Sequence, residues 1–318
     1  MIIVTGAAGF IGSQLMRGLN AQGYTHILAV DDLTQGQKYK NLASATFSDY
    51  QDYEDFLIHL TSGQPFEERI EAIFHQGACA VTTEWNGRHM LRNNYEYAKQ
   101  VLHYAARHRI PCFYASSAAV YGNGQVFKES SSLSAPLNVY GYSKWLLDHY
   151  VQQRSPWPMP VVGLRYFNVY GPQETHKGPM ASVAFHWMNQ LCETGKVKLF
   201  AGCNGYGNGE QRRDFISVED VVKVNLWFLN HPGHSGIFNV GTGQARSFNE
   251  LAKILIALHG AGKIEYIPFP TALRGTYQSF TQADIAALRN AGYQDHFQSL
   301  EAGIRQYYAY YQQPVEVL

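Results

Sequence analysis

The chain has 318 residues, 46% of them hydrophobic and 16% charged, which is enough apolar content to bury a large core as one two-lobed unit or two intimate domains and excludes extended disorder. Lys plus Arg and Asp plus Glu both number 25, so no overall field draws the protein to nucleic acid or to an anionic membrane. No run approaches the roughly 20 apolar residues of a membrane span, and a small-molecule ligand becomes the expectation.

From the N-terminus, short β-branched runs alternate with longer amphipathic stretches, the pattern of βαβ units and a parallel sheet. Strands are expected at residues 2–4, 26–30, 72–74, 111–115 and 161–165, with helices over 10–22, 52–60, 93–108 and 140–153. Leu91, Tyr95, Ala98, Leu102 and Ala105 recur at three- and four-residue steps, so that helix should lay one face on the sheet. Met1 to Val4 run into Gly6 with no basic leader and no cleavage pattern, which predicts a cytoplasmic protein. Cys79, Cys112, Cys192 and Cys203 show no C-x-x-C spacing and read as reduced thiols in core or loop, with no metal site among them.

Beyond Gly171 the rhythm loosens, and the Gly202 to Gly209 stretch reads as a surface loop. A strand at 237–240 and a helix at 248–259 predict a return to the sheet before a small C-terminal lobe. The Tyr307-Tyr308-Ala309-Tyr310-Tyr311 tail suits helix packing or a subunit contact. No internal repeat is visible.

Gly6, Gly9 and Gly12 follow an apolar strand and open a helix, the setting a dinucleotide-binding glycine loop requires. Missing side chains let the backbone approach a pyrophosphate whose charge sits at the positive end of the helix. Asp31 and Asp32 end the second strand roughly 20 residues on. Asp31 suits the free ribose diol of NAD, whereas Lys38 could meet the 2′-phosphate of NADP, and the residues alone lean to NAD. Gln76, Gly77, Ala78 and Cys79 leave a strand end and should lie against the cofactor, with His75 as a packed strand residue. The architecture expected is α/β, a Rossmann-like doubly wound parallel sheet with a smaller C-terminal lobe.

Tyr140 and Lys144 stand four apart, on one face of a helix. An ammonium beside a phenol favours the phenolate and lowers a pKa that starts near 10 toward the range of a general base. Hydride chemistry on an alcohol needs such a base, because the hydroxyl proton must leave with the hydride. Ser117, at the end of a strand, is placed to hydrogen-bond the substrate oxygen.

The ordered set of Gly6-x-x-Gly9-x-x-Gly12, Ser117, Tyr140-x-x-x-Lys144 and Arg165-Tyr166-Phe167-Asn168-Val169-Tyr170-Gly171-Pro172 resembles the extended short-chain dehydrogenase/reductases acting on nucleotide sugars. Thr82-Thr83-Glu84-Trp85, His176-Lys177-Gly178, Met180 to His186 and Phe280 to Asp284 narrow the resemblance to the ADP-glyceromanno-heptose 6-epimerases, over nearly the whole chain. That resemblance implies transient oxidation of the heptose C6 to a ketone by a tightly held nicotinamide and return of the same hydride to the other face, in lipopolysaccharide core precursor synthesis. It implies Tyr140 as base for one epimer and Lys177 for the other, with Lys144 orienting the nicotinamide ribose. Phe10, Ile11, Asp31, Asp32, Lys38, Gln76 to Ala80, Asn93 and Val169 would line an NADP. Asn168, His186, Phe200, Ala201, Gly202, Cys203, Arg213 and Tyr277 would hold ADP-heptose, with the Arg213 guanidinium as a fork for the diphosphate. Residues 1–170, with a return near 214–245, would bind the dinucleotide and 171–318 mainly the substrate, in a homo-oligomer such as a homopentamer.

Without the resemblance, Lys177 reads as a solvated loop lysine and Arg213 as half of a surface ion pair with Asp214. The chain departs from the family where Asp32 replaces an Asn, Tyr53 a Lys and Pro179 a Ser, and the first two weaken NADP relative to NAD. A sugar 4,6-dehydratase would need an acid pair after Ser117, where Ala118-Ala119 stands. A UDP-hexose 4-epimerase shares the catalytic set but not the His176-Lys177-Gly178 context, and a non-catalytic cofactor-sensing protein would have no use for an intact Tyr140 and Lys144.

Overall fold

The continuous apolar runs near the N-terminus are buried on both faces, which is why they form central strands of a parallel sheet. The computed structural model describes residues 1–130, 132 and 134–313. In chain order the strands are β1 (Ile2–Thr5), β2 (Ile27–Asp31), β3 (Asp49–Asp52), β4 (Ala72–His75), β5 (Cys112–Ser117), β6 (Val161–Tyr166), β7 (Asn168–Tyr170), β8 (Lys196–Phe200), β9 (Arg212–Ser217), β10 (Gly236–Val240), β11 (Ala245–Ser247) and β12 (Lys263–Ile267). Seven of them form one parallel sheet in the order β10-β6-β5-β4-β1-β2-β3. The order reverses between β1 and β4, and a crevice opens at the carboxyl ends there.

The helices are α1 (Phe10–Ala21), α2 (Tyr39–Leu42), α3 (Tyr53–Ser62), α4 (Gly87–Leu91), α5 (Tyr97–His108), α6 (Val139–Gln153), α7 (Val183–Thr194), α8 (Val218–Asn230), α9 (Phe248–His259), α10 (Ala286–Asn290) and α11 (Leu300–Tyr311). Leu15, Met16 and Leu19 of α1 and Val221, Val224 and Phe228 of α8 cover one face of the sheet. Phe56 of α3, Val101 and Leu102 of α5 and Leu147 of α6 cover the other. A separate cluster, including Trp187, Leu191, Leu199, Leu251, Leu255 and Ile304, holds together the lobe of α7, α9, α11 and the β8–β12 pair. A three-stranded sheet, β11-β9-β7, lies between these regions in sequence.

Two expectations differ from the structure, the helix over 93–108 and the place of the helix over 248–259. The expected helix over 93–108 is a run through α4 and a wider turn at Arg92–Glu96 into α5, in which Ala98, Leu102 and Ala105 are buried while Leu91 and Tyr95 are only half-buried. Strand 236–240 does join the sheet, but α9 stays in the smaller lobe, because Leu251 and Leu255 find their apolar partners on α7 and β8. The Gly202 to Gly209 stretch has no regular structure and is largely exposed. In the tyrosine tail, Tyr307 and Tyr308 are buried on the inner face of α11. Among the described residues no helix is long and apolar enough to cross a membrane.

Candidate active site

A cleft of about 1070 Å³ runs from the reversal of strand order into the smaller lobe. Every residue expected at the site lines it except His186, Ala201, Gly202 and Cys203. His186 lies on α7 beside Phe185. Ala201 and Cys203 stand behind the wall: the Gln211 side-chain amide, which does line the cleft, donates to Ala201 O at 3.1 Å and to Cys203 Sγ at 3.3 Å.

The glycine loop is close-packed backbone. Gly6 has φ +69°, and a Cβ there would come within 2.6 Å of Gly77 N; a Cβ on Gly12 would come within 1.9 Å of Gly6 O. No side chain caps the first turn of α1 and no acidic residue stands in it, so the positive helix end is left to a ligand. Asp31 at the end of β2 accepts three hydrogen bonds: Oδ2 from Ala8 N at 2.7 Å, and Oδ1 from Asp32 N at 2.7 Å and Lys38 Nζ at 2.5 Å. Burial raises the Asp32 carboxyl, but the Thr34 hydrogen bonds and the Lys38 charge outweigh it and hold it below its ordinary range. Across the reversal, Gly77 N donates to Thr5 Oγ1 at 3.2 Å, and Asn94, 1% exposed, clamps Cys79 by bonds of 2.7 and 3.0 Å to its backbone.

His75 is buried with Nδ1 2.7 Å from Thr5 Oγ1, and burial, helped by the Lys144 charge, pushes its pKa down to about 3. It is a neutral strand residue.

Asn138 caps α6 by accepting from Gly141 N at 2.8 Å, which starts the helix just ahead of Tyr140. Tyr140 lies beside Ser117 at the end of β5, and the Ser117 hydroxyl accepts from Ala119 N at 3.1 Å. Lys144 does not lower the Tyr140 pKa as the spacing predicts. Its Nζ donates to Ala115 O at 2.9 Å, and the Tyr140 phenol is pushed up by burial, with Ser117 pulling the other way. Burial also carries Lys144 down to about 8, against the attraction of Asp148 one turn further along α6. Asp148 is itself held by Arg165 Nε at 2.7 Å and the Ser116 hydroxyl at 2.8 Å, all in the interior.

The opposite part of the cleft comes from β7 onward. Lys177 holds Nζ 5.0 Å from the Phe10 ring centre, and burial lowers its pKa while Glu174 raises it. Arg213 is 6% exposed, its guanidinium 4.8 Å from the Tyr277 ring and 5.7 Å from that of Phe248. The surface ion pair with Asp214 is absent: Asp214 instead accepts from Thr242, Gly243 and Ala283, and Arg213 hydrogen-bonds Arg212 O at 3.1 Å. Arg213 is thus a buried cation with no carboxylate partner among the described residues, an arrangement that a bound anion would stabilise. Among the described residues, Lys38, Lys144, Lys177, Lys198 and Arg213 line the cleft with Asp31 and Asp32 as its carboxylates. Gln278, which sequence reasoning missed, also lines it and ties Gly122 O at 2.8 Å; a lone glutamine in a loop carries no signal. Among the described residues no group of His, Cys, Asp and Glu could hold a metal ion.

Comparison with known proteins agrees with this geometry. A protein of Alkalilimnicola ehrlichii described as ADP-L-glycero-D-manno-heptose-6-epimerase is 53% identical over 308 residues, 96% of each chain. The crystal structure of the ADP-L-glycero-D-manno-heptose-6-epimerase of Helicobacter pylori superimposes with a TM-score of 0.84 at 32% identity, covering 97% of this chain and 95% of that one. A UDP-glucose 4-epimerase of Thermus thermophilus solved with NAD, at 24% identity, shares the fold with a TM-score of 0.79 over 99% of both chains. Residues 2–241 match the profile of the NAD dependent epimerase/dehydratase family. With a match over most of its length and the glycine cradle, Tyr140 and Lys144 set around one cleft, the chain belongs to that family.

Proposed function

We propose that the chain inverts C6 of the heptose in ADP-D-glycero-β-D-manno-heptose to give the L-glycero epimer, with no net redox change, as a step in lipopolysaccharide core precursor synthesis. What supports this reading is that two groups able to exchange a proton line one cleft from different elements, Tyr140 on α6 and Lys177 in the turn after β7. The C6 hydroxyl points opposite ways in the two epimers, so each needs its own acceptor.

The uncapped start of α1 and the bare glycine backbone fit a dinucleotide pyrophosphate. A nicotinamide bound there supplies the acceptor and donor of hydride at C6. Ser117 and Tyr140 take the hydroxyl of one epimer, and Lys177, lowered by burial, serves the other. Lys144, buried and tied to Ala115 O, stands one turn from Tyr140 to orient the ribose. Arg213 meets the diphosphate, with Tyr277 and Phe200 beside it. Residues 1–170 with 214–245 then hold the dinucleotide, and the remainder of 171–318 mainly the sugar nucleotide.

For the cofactor we favour NADP. Lys38, which pairs with Asp31 at the end of β2, would supply the cation for a 2′-phosphate. The four free thiols suit a cytoplasmic protein, and the family resemblance supports a homo-oligomer such as a homopentamer. Incubation with ADP-D-glycero-β-D-manno-heptose followed by NMR should show the C6 epimer, with NADP recovered on denaturation. No conversion in the presence of added cofactor refutes the reaction, and recovery of NAD alone refutes the cofactor.

A further inference from the structure

Three residues before Lys177 lies a carboxylate that the reaction does not use. Glu174 is 1% exposed, and its hydrogen-bond partners are neutral. Its Oε2 accepts from Ser182 N at 2.5 Å. Its Oε1 accepts from the Ser182 hydroxyl at 2.6 Å, the Tyr307 hydroxyl at 2.9 Å and Gly171 N at 3.4 Å. The backbone carbonyl of Glu174 accepts from Lys177 N at 3.0 Å. An interior carboxylate is unfavourable unless hydrogen-bonded, and here donors from three places along the chain converge on one side chain.

The consequence is geometric. Gly171 and Ser182 bracket the turn that carries Lys177, so Glu174 closes that turn from both sides, and Gly178 within it adopts φ 52°. Tyr307 enters from α11, is 4% exposed, stacks on the Tyr170 ring at 6.3 Å and does not line the cleft. Tyr140 sits on α6 and shares none of these contacts.

We infer that Glu174, clamped by Ser182 and Tyr307, is the positioning residue that holds Lys177 in the cleft, and that the C-terminal helix thereby governs the second proton acceptor without touching substrate. The inference rests on the proposed role of Lys177 toward one of the two epimers. Loosening the clamp displaces Lys177 and leaves Tyr140 where it is, so the two half-reactions respond unequally. In each, the C6–H bond breaks with its electron pair leaving as hydride to the bound nicotinamide, the hydroxyl proton goes to Tyr140 or to Lys177, and the 6-ketone remains.

The test uses the holoenzyme, rapid quench, and mass spectrometry of the 6-keto sugar, started from each epimer separately. Glu174→Gln should slow ketone formation from one epimer on the order of 10²-fold, the scale of a small misplacement of a catalytic group. Tyr307→Phe, which removes a single hydroxyl, should slow the same half-reaction roughly fivefold. Both should leave the other epimer unchanged, reproducing the asymmetry of Lys177→Met. Amide exchange at Lys177 and Ser182 should be faster in Tyr307→Phe, measured without substrate. If Glu174→Gln fails to fold, Tyr307→Phe decides.

Equal slowing from both epimers, or no slowing from either, while Lys177→Met remains asymmetric, overturns the inference alone. If Lys177→Met is itself without effect, the role of Lys177 falls, and the inference with it.

Discussion

The two walls of the cleft are built differently. On the sheet side, groups come in local sets three or four residues apart, Gly6, Gly9 and Gly12 on one turn and Tyr140 and Lys144 on one helix face. On the lobe side they come singly, Lys177 from a short turn, Phe200 from the end of β8, Arg213 from β9 and Tyr277 from a loop. The electrostatics divide in the same way. Lys38 is already paired with Asp31 and Lys144 with the Ala115 carbonyl, whereas Arg213 faces aromatic rings and a carbonyl. What the sheet side leaves open to a ligand is a backbone feature, the uncapped start of α1, whereas on the lobe side it is a single side chain, the Arg213 guanidinium.

The largest effect is expected on the sheet side. Tyr140→Phe removes the proposed proton acceptor but leaves the cradle, so kcat should fall on the order of 10²–10⁴-fold while cofactor content, read from nucleotide released on denaturation, stays the same. An unchanged kcat would make the ordered α6 face a structural feature only, and a cofactor-sensing protein would become the better reading.

On the lobe side the expected effect is smaller and of another kind. Arg213→Met should raise KM on the order of 10²-fold, as charge-assisted hydrogen bonds to a phosphate are lost, with less change in kcat. Because the same change deletes a buried charge that has no carboxylate partner among the described residues, the ligand-free variant should melt no lower than the native protein and above it if the methionine packs well. A variant with native KM would mean that the diphosphate lies elsewhere along the cleft.

The same contrast explains what could be read in advance. Strands β1, β2, β4, β5 and β6 were legible because burial on both faces demands unbroken apolar runs. Edge strand β3 was not, since Asp49-Tyr50-Gln51-Asp52 is half-exposed and looks like a turn. Helices α7 and α8 carry local start signals, Ser182 and Ser217 as caps, that the surrounding glycines and prolines obscured. Glu174 was illegible for a stronger reason: in a Gly- and Pro-rich run it reads as a solvated loop acid, and what buries it is a tyrosine far down the chain. The Tyr140–Lys144 spacing was legible, but its electrostatic meaning was not. Four residues on a helix place two side chains on one face, yet they do not say that the ammonium will bond Ala115 O or that burial will dominate both pKa values.

That last point yields the smallest effect and tests whether the sheet side is as settled as its hydrogen bonds suggest. In the cofactor-free protein, Lys144 is carried by burial to about 8 from an unfolded value of 10.5. Below pH 8 both states hold the proton and the folded state bears the full penalty of a buried ammonium. Between about 8 and 10 the folded state releases it first, the unfolded state binds more protons, and stability rises with pH. The penalty so relieved is at most about 3 kcal/mol, a ceiling that water entry and relaxation reduce. Above 10 the buried tyrosines work the other way. The Tyr140 pKa is raised on folding, so the unfolded chain ionises first there and stability falls. Urea unfolding across pH 7–10 should therefore show the native protein gaining on Lys144→Met, in which no ammonium titrates. A constant difference between the two across that range would mean that Lys144 keeps its proton at its ordinary value, so that the cleft floor is wet enough to solvate an ammonium even with the cofactor absent.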